Sequence, residues 1–151
     1  MSRIKDNMLS KSCQYAIRIL MFICSKSKQV ERVRLLEISH AIASPPAFTS
    51  KILQQLVAAK LICSQKGANG GFKIAEVDCS QITLGQIIET IEGKSLTANC
   101  FLGLSQCSDN NPCPVHHLYY PIKSELNSTL MNINLNEILS DPKLININLK
   151  T

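Results

Sequence analysis

The fold is decided by residues 45–75, which read PPAFTSKILQQLVAAKLICSQKGANGGFKIA. Two prolines open this stretch, and the first turn of a helix accepts proline because its N–H groups have no helical partner. The following residues change between apolar and polar at helical spacing, so the predicted helix has an apolar inner side and a polar outer side. The inner side holds Phe48, Ile52, Leu53, Leu56 and Val57, and the outer side holds Thr49, Ser50, Lys51, Gln54 and Gln55.

The second part of the stretch predicts a β-hairpin. Residues 61–66 and 72–75 have strand character, and the glycine-rich segment 67–71 suits a turn that needs positive φ angles. A phosphate-binding nucleotide loop is the alternative, but the segment lacks both the Gly-Lys-Ser/Thr ending and the G-x-G-x-x-G pattern. We therefore expect a wing, with Lys66 beside a tip that can approach a DNA backbone.

Two helices are predicted before this stretch. The first runs from about residue 8 to residue 25, and the second carries Leu35, Ile38 and Ile42 on its apolar side. The second helix ends near Ser44, because a proline forces the preceding residue out of the helical conformation. Two short helices joined by a tight turn and followed by a hairpin are typical of a winged helix-turn-helix, whose second helix enters the major groove of DNA.

The expected fold class is mainly α with a small β-hairpin wing (α+β). Thr83 and Gln86 predict a capping box for a further helix, and Gly93 suits the end of that helix. Residues 1–94 are therefore predicted as a winged helix-turn-helix DNA-binding domain. Residues 95–114 are predicted as a cysteine-rich sensor loop, and residues 115–151 as a dimerisation helix with a C-terminal tail.

A narrow apolar stripe predicts the dimerisation helix, because a stripe outside the main core would be exposed to water in a monomer. Packing back on its own domain is the alternative. Pro121 kinks this helix or marks its true start. Asn134 and Glu137 predict another capped helix, and residues 145–149 alternate as in a strand. The stripe consists of Val115, Tyr119, Ile122, Leu126, Leu130 and Ile133.

Charge is divided unevenly along the chain, whose net charge is +5. Residues 1–75 carry 12 Lys and Arg against 3 Asp and Glu, whereas residues 76–151 carry 4 against 8. A basic half is typical of a protein that binds double-stranded nucleic acid, although a solvated basic face has the same composition. No stretch is apolar enough for a membrane span and no export signal is recognisable, so we expect a cytoplasmic protein without a membrane partner.

Seven cysteines are present, and their number is odd. Without an export signal this predicts reduced thiols or metal ligands rather than disulfides. Cys13 and Cys24 fall on the apolar side of the first helix and are predicted core residues, whereas Cys63 and Cys79 are expected to be inert. The remaining three, Cys100, Cys107 and Cys113, lie in one loop, and His116 follows three residues after the last of them.

Three thiolates and one imidazole suit an iron–sulfur cluster or tetrahedral zinc, and two of the thiols could instead form a disulfide under oxidation. A thiol hydrolase that uses Cys113 and His116 as nucleophile and base is a further alternative. The pattern offers no third orienting residue and no oxyanion loop, so neither an enzyme nor a small-molecule substrate is expected.

The chain resembles the Rrf-two family of winged helix-turn-helix transcription regulators, the group of IscR, NsrR and CymR. The resemblance implies a homodimer that binds a palindromic site in double-stranded promoter DNA, with binding that depends on a cluster or an effector. Other members bind no cluster and respond through docked partner proteins or cysteine oxidation. The matching segments are residues 9–16 (LSKSCQYA), 52–56 (ILQQL), 60–62 (KLI), 66–72 (KGANGGF) and 84–88 (LGQII), together with the loop cysteines.

The resemblance also implies site residues. The cluster, of the [2Fe-2S] type, would be held by Cys100, Cys107 and Cys113, with His116 as the IscR-type fourth ligand and His117 as its competitor. Six residues separate the first two cysteines, one more than is typical of IscR-like members. The NsrR-type acidic ligand is absent, because the corresponding residue is Gln14.

The expected DNA contacts lie in the basic half. Lys11, Lys51 and Lys66 would contact phosphates, and Thr49, Ser50 and Gln54 would face base edges. The set is completed by Ser10, Tyr15 and Asn69, which lie within the matching segments.

Overall fold

The computed structural model of the chain describes residues 8–75, 78–141 and Leu149. Its architecture is mainly helical with a two-stranded antiparallel hairpin, which confirms the predicted fold class. In chain order the elements are α1 (Lys11–Lys26), α2 (Leu35–Ala41), α3 (Pro46–Ala58), β1 (Ile62–Gln65), β2 (Gly71–Ile74), a 3₁₀ turn (Cys79–Gln81), α4 (Leu84–Glu92), α5 (His116–Leu126), a π turn (Asn127–Met131) and α6 (Leu135–Ser140).

Helix α1 lies at the centre of the core, where it packs against α3, α4 and α6. The side-chain oxygen of Ser10 accepts a hydrogen bond from the backbone N–H of Cys13 at 3.2 Å and caps the helix. The inner face of α1 buries Cys13, Ala16, Ile19, Leu20, Ile23 and Cys24.

Helices α2 and α3 form the helix-turn-helix. The turn between them includes Ala43, whose φ angle is +50°, and α3 starts at Pro46 as predicted. The ring of Tyr15 on α1 meets the ring of Phe48 edge-on, with 5.4 Å between centroids. This contact sets α3 against α1.

Strands β1 and β2 form the wing, with Ile62 opposite Ile74 and Gln65 opposite Gly71. The link before α2 also joins the wing: the Val33 N–H donates to the Phe72 carbonyl at 2.9 Å, and the Phe72 N–H donates to the Val33 carbonyl at 2.8 Å. Gly71 has a φ angle of +144°, and a β-carbon there would lie 2.7 Å from the Val33 carbonyl oxygen. Only glycine permits this close approach.

The chain after α5 returns to the N-terminal core. Helix α5 contains Pro121 in its interior, and the predicted stripe does not continue as one helix to residue 133. Met131 and Leu135 are buried in the same cluster as the α1 side chains. The Leu84 N–H donates to the Ile133 carbonyl at 3.0 Å, so the returning chain is also held by backbone hydrogen bonds.

Several local predictions for this part are confirmed. The capping box between Thr83 and Gln86 is present, and α4 ends at Gly93 with a left-handed conformation. Asn134 and Glu137 form the capping box of α6. The strand-like alternation at residues 145–149 lies outside the described residues except for Leu149, which is half-buried against the core.

The expectation of reduced thiols outside the sensor loop is wrong for one pair. Cys24 on α1 and Cys79 in the 3₁₀ turn form a disulfide, with their Cα atoms 6.1 Å apart. The 3₁₀ turn folds back on α1 and brings together two cysteines that are 55 residues apart in sequence. Cys79 is thus part of a cross-link rather than an inert thiol.

Among the described residues, no helix is both long enough and apolar enough to cross a bilayer.

Candidate sulfur centre and nucleic-acid interface

The three loop cysteines meet at one point. Their Sγ atoms all lie within 4.8 Å of one another, and those of Cys100 and Cys113 are 3.6 Å apart. Cys113 is buried, while Cys100 and Cys107 are half-buried. The three cysteines that the sequence predicts to form one site are therefore close enough in space to bind one group.

Short turns in the loop bring the cysteines together. The Gly103 N–H donates to the Cys100 carbonyl at 2.9 Å, and the His116 N–H donates to the Cys113 carbonyl at 3.0 Å. Ser108 and Asn111 pair through reciprocal backbone hydrogen bonds. Each cysteine thus lies in or beside a tight turn rather than on a regular element, so the site depends on loop geometry.

His116, at the start of α5, contacts one of the three thiols. Its Nδ1 atom lies 3.2 Å from the Cys107 Sγ, and its Nε2 atom lies 3.0 Å from Asp109 Oδ1. The competing ligand His117 is exposed and meets the His116 ring edge-on, with 5.8 Å between centroids. Sequence reasoning missed Asp109, because its position between two candidate ligands does not show which way its side chain points.

The thiols open into a cleft of about 590 Å³. The rings of Phe101 and Tyr119 meet beside it, with 5.3 Å between centroids. Lys123 of α5 also lines it. The cleft therefore connects the thiols to solvent, and aromatic side chains line it.

The electrostatics of the loop differ between the cysteines. Burial raises the pKa of Cys100, but hydrogen bonds from the backbone N–H groups of Leu104 and Leu102 and from the two neighbouring thiols outweigh it and lower that pKa to about 7. For Cys107, a hydrogen bond from the Cys113 backbone favours the thiolate, yet burial and the adjacent sulfur atoms raise its pKa. One thiolate is thus stabilised at neutral pH, and the donor set of soft sulfur atoms and an imidazole suits zinc or an iron–sulfur cluster.

The outer face of α3 differs from the prediction at one residue. Lys51 and Gln54 are exposed and Ser50 is half-buried, but Thr49 is fully buried and donates its hydroxyl hydrogen to the Pro45 carbonyl at 3.1 Å. Its assignment to the outer face is wrong. Position 49 shares a helix face with positions 52, 53 and 56, which are the core positions of α3.

The other predicted DNA contacts lie on α1 and the wing. Lys11, Lys66 and Asn69 are exposed. Ser10 caps α1 and donates its backbone N–H to Glu92 Oε1 at 2.9 Å. Tyr15 lies between the Phe48 ring and the guanidinium of Arg18, which is 4.9 Å from the Tyr15 centroid. Ser10 and Tyr15 therefore also make contacts that stabilise the fold.

Arg34 is a functional candidate that sequence reasoning missed. It is exposed at the start of α2, where its backbone N–H donates to Glu37 Oε2 at 2.9 Å. Its Nη2 atom donates to the carbonyl of Ala68 at the wing tip, at 3.0 Å. Arg34 therefore joins the helix-turn-helix to the wing.

Comparison with known proteins gives a consistent result. A family model described as "Rrf2: Iron-dependent Transcriptional regulator" matches residues 9–141. IscR of Vibrio vulnificus (strain YJ016), an HTH-type transcriptional regulator, is 27% identical over 92% of this chain and 81% of its own length. NsrR of Oceanobacillus iheyensis, also an HTH-type transcriptional regulator, is 30% identical over 73% of this chain and 74% of its own length.

Solved structures agree on the fold. The structure of CymR, the global cysteine regulator of B. subtilis, superimposes with a TM-score of 0.71 at 20% identity, covering 87% of this chain and 95% of CymR. The Cys107–His116–Asp109 arrangement also resembles the triad of a thiol hydrolase. The family and the relatives are transcription regulators, however, and the prediction that the chain is not an enzyme is confirmed.

Proposed function

This chain belongs to the Rrf2 family of transcriptional regulators, and from that premise we propose that it is a homodimer that binds promoter DNA and senses iron–sulfur, redox or nitric-oxide status through Cys100, Cys107 and Cys113. The observation that carries the proposal is the convergence of the three Sγ atoms within 4.8 Å. They lie in the loop that joins the DNA-binding domain to α5.

The DNA-binding surface consists of the outer face of α3, the wing tip and the start of α1. Lys11, Lys51 and Lys66 bind phosphates, and Ser50 and Gln54 read base edges in the major groove. Asn69 at the wing tip reaches the adjacent backbone. Ser10 and Tyr15 contribute at the edge of this surface, whereas Thr49 is excluded because it is buried.

The dimer interface consists of the outer face of α5. Leu118 is 75% exposed and Ile122 is 63% exposed, and no described element covers them. A helix with such a face in a monomer exposes a large apolar patch to water. Pairing with α5 of a second copy buries the patch and places two recognition helices about a two-fold axis, as a palindromic site requires.

The sulfur centre holds a [2Fe-2S] cluster, with Cys100, Cys107, Cys113 and His116 as ligands. A bound cluster would supply a group whose charge and occupancy respond to iron, oxidants and nitric oxide. The donors fit it, because three soft thiols have converged, the His116 Nδ1 atom lies 3.2 Å from one of them, and one cysteine has a pKa of about 7. Zinc, or a disulfide between two of the thiols, is the alternative for the same site.

The loop couples the centre to DNA binding. It begins directly after α4, which packs on α1 in the DNA-binding domain, and it ends at α5, the proposed dimer helix. Gain or loss of a bound group would change the loop that holds Cys100, Cys107 and Cys113, and with it the position of one domain relative to the dimer axis. DNA affinity then changes through a shift between two dimer geometries.

The test starts with anaerobic purification. The visible absorption spectrum of the protein is then recorded, and its content of iron and sulfide per subunit is measured. We expect a coloured protein, a colourless C107S variant, and a C63S control that keeps the colour. Stoichiometric zinc in a colourless wild-type protein would overturn the cluster and leave the DNA-binding part of the proposal standing.

DNA binding and dimerisation have their own measurements. A pool of random duplexes is mixed with the loaded and the unloaded protein, and the retained fragments are sequenced. We expect a two-fold symmetric site whose retention depends on loading. In sedimentation, wild-type protein and an S124E control should be dimers and I122E a monomer; a monomeric wild type that retains no duplex contradicts the proposal.

A further inference from the structure

The His116 ring is held on both edges and on one face. Its Nδ1 edge meets the Cys107 Sγ at 3.2 Å, and its Nε2 edge meets Asp109 Oδ1 at 3.0 Å. The Tyr120 ring stacks on it at 5.7 Å with an interplanar angle of 25°. The plane of the imidazole and its direction within that plane are therefore both defined.

The carboxylate decides which nitrogen carries the hydrogen. A neutral imidazole has one N–H and one lone pair, and an ionised carboxylate can only accept a hydrogen bond. With Asp109 beside Nε2, that nitrogen carries the hydrogen, and Nδ1 directs its lone pair towards the Cys107 sulfur. The opposite tautomer would place a lone pair against the carboxylate, which is repulsive at 3.0 Å.

We propose that Asp109 is a positioning residue of the sulfur centre: by accepting a hydrogen bond from Nε2 of His116, it presents Nδ1 as the fourth donor beside the three thiols. The identity of the bound metal or cluster rests on the proposed function. The tautomer is a property of the chain itself.

The exposure of the two partners supports a positioning role. The Asp109 side chain is 76% exposed, whereas that of His116 is 16% exposed. Asp109 belongs to the turn closed by Ser108 and Asn111, which directs the carboxylate towards the start of α5. Since an exposed carboxylate buries little surface, its removal should change His116 and leave the stability of the fold nearly unchanged.

The first measurement uses metal-free, reduced protein labelled with ¹⁵N at histidine, and the His116 signals are assigned by their loss in H116Q. We expect the Nε2–H form in wild type, a mixture of both forms in D109A, and the wild-type form in the N110A control, which alters the same loop. D109N should keep the Nε2–H form in part, because its amide oxygen still accepts the hydrogen bond. An Nδ1–H wild type, or a D109A spectrum identical to that of wild type, overturns the proposal.

The second measurement is the affinity for Zn²⁺ alone, determined by competition with a coloured chelator. We expect D109A to bind Zn²⁺ about 10- to 100-fold more weakly than wild type, as is usual for the loss of a carboxylate that orients a histidine ligand. N110A should bind as wild type does. Equal affinity of D109A and wild type overturns the positioning role while the metal centre stands. If wild type binds neither zinc nor iron, the proposed function fails, and the tautomer measurement still decides the role of Asp109.

Discussion

The guanidinium of Arg34 donates a hydrogen bond to the Ala68 carbonyl at 3.0 Å and so joins the start of α2 to the tip of the wing, 34 residues further along the chain. The wing is a two-stranded hairpin, which has little stability of its own. The hairpin is also held by the backbone pairing between Val33 and Phe72, directly beside Arg34, and by its packing on α1 and α3. The helix-turn-helix and the wing thus present one surface.

Replacement of Arg34 with alanine should weaken DNA binding by freeing the wing. We expect a loss of about 1 kcal/mol, about fivefold in affinity, with the melting temperature nearly unchanged. Fluorescence anisotropy with a short duplex at several salt concentrations measures this. If Arg34 only holds the wing in place, the salt dependence of the DNA affinity stays as in wild type. A flatter salt dependence in R34A would show that Arg34 contacts a phosphate instead.

Replacement of Lys66 with alanine should weaken binding to every duplex alike. A phosphate contact releases about one counterion, so the slope of log affinity against log salt should flatten by about 0.9. The same titration on K94A, which removes an equal charge beyond the end of α4, is the control. Sequence-dependent weakening in K66A would contradict a phosphate contact.

The Cys24–Cys79 disulfide should stabilise the fold measurably. It closes a loop of 55 residues, for which loop-closure entropy predicts about 4 kcal/mol. Urea denaturation of wild type should show lower stability with dithiothreitol than without it, whereas C79S should be insensitive to the reductant. Alkylation of the denatured, unreduced protein followed by mass spectrometry provides the check: five labels are expected, and seven would rule the disulfide out.

Replacement of Gly85 with alanine should loosen the attachment of the C-terminal segment. A β-carbon at this position would lie 2.7 Å from the Met131 carbonyl oxygen, which is backbone and cannot rotate away. Alanine favours a helix by about 1 kcal/mol, but we expect an overpacking cost of about 3 kcal/mol to outweigh this and leave a net loss of about 2 kcal/mol. Urea denaturation, with the exposed change E89A as control, measures the difference; a more stable G85A would contradict the close contact.

The buried Cys13 thiol should make the fold sensitive to alkaline pH. Burial, followed by the Glu92 carboxylate, raises the pKa of Cys13 from 9.0 to about 12. The unfolded chain loses this proton above pH 9 while the folded chain keeps it, so the free energy of unfolding falls between pH 9 and pH 12. Urea denaturation should show a smaller fall for C13A than for wild type over this range, and equal falls would exclude Cys13 as the source.

The helix-turn-helix and the wing were predictable because their signals are local. Pro46 marks the start of α3, the glycines of segment 67–71 mark the turn, and Thr83 with Gln86 marks α4. The error at Thr49 has a physical cause: its hydroxyl counts as polar, yet it donates a hydrogen bond to the carbonyl of Pro45, one turn earlier, and therefore has a partner when it is buried.

The candidate sulfur centre was predictable in part. The spacing of Cys100, Cys107 and Cys113 in a loop without periodicity was visible, and the structure brings the three Sγ atoms together. Asp109 was not identified, because its role depends on the direction of one loop turn relative to the start of α5. Spacing along the chain does not contain that direction.

The sequence by itself determined the fold class, the polar face of α3 and the basic character of the front half. These depend on helical and strand periodicity, turn residues and charge, which act over a few neighbouring positions. Only the tertiary structure decided which distant groups meet: Cys24 with Cys79, and Arg34 with Ala68. Such contacts arise from how helices pack around a shared core, and a single sequence carries no separate signal for each of them.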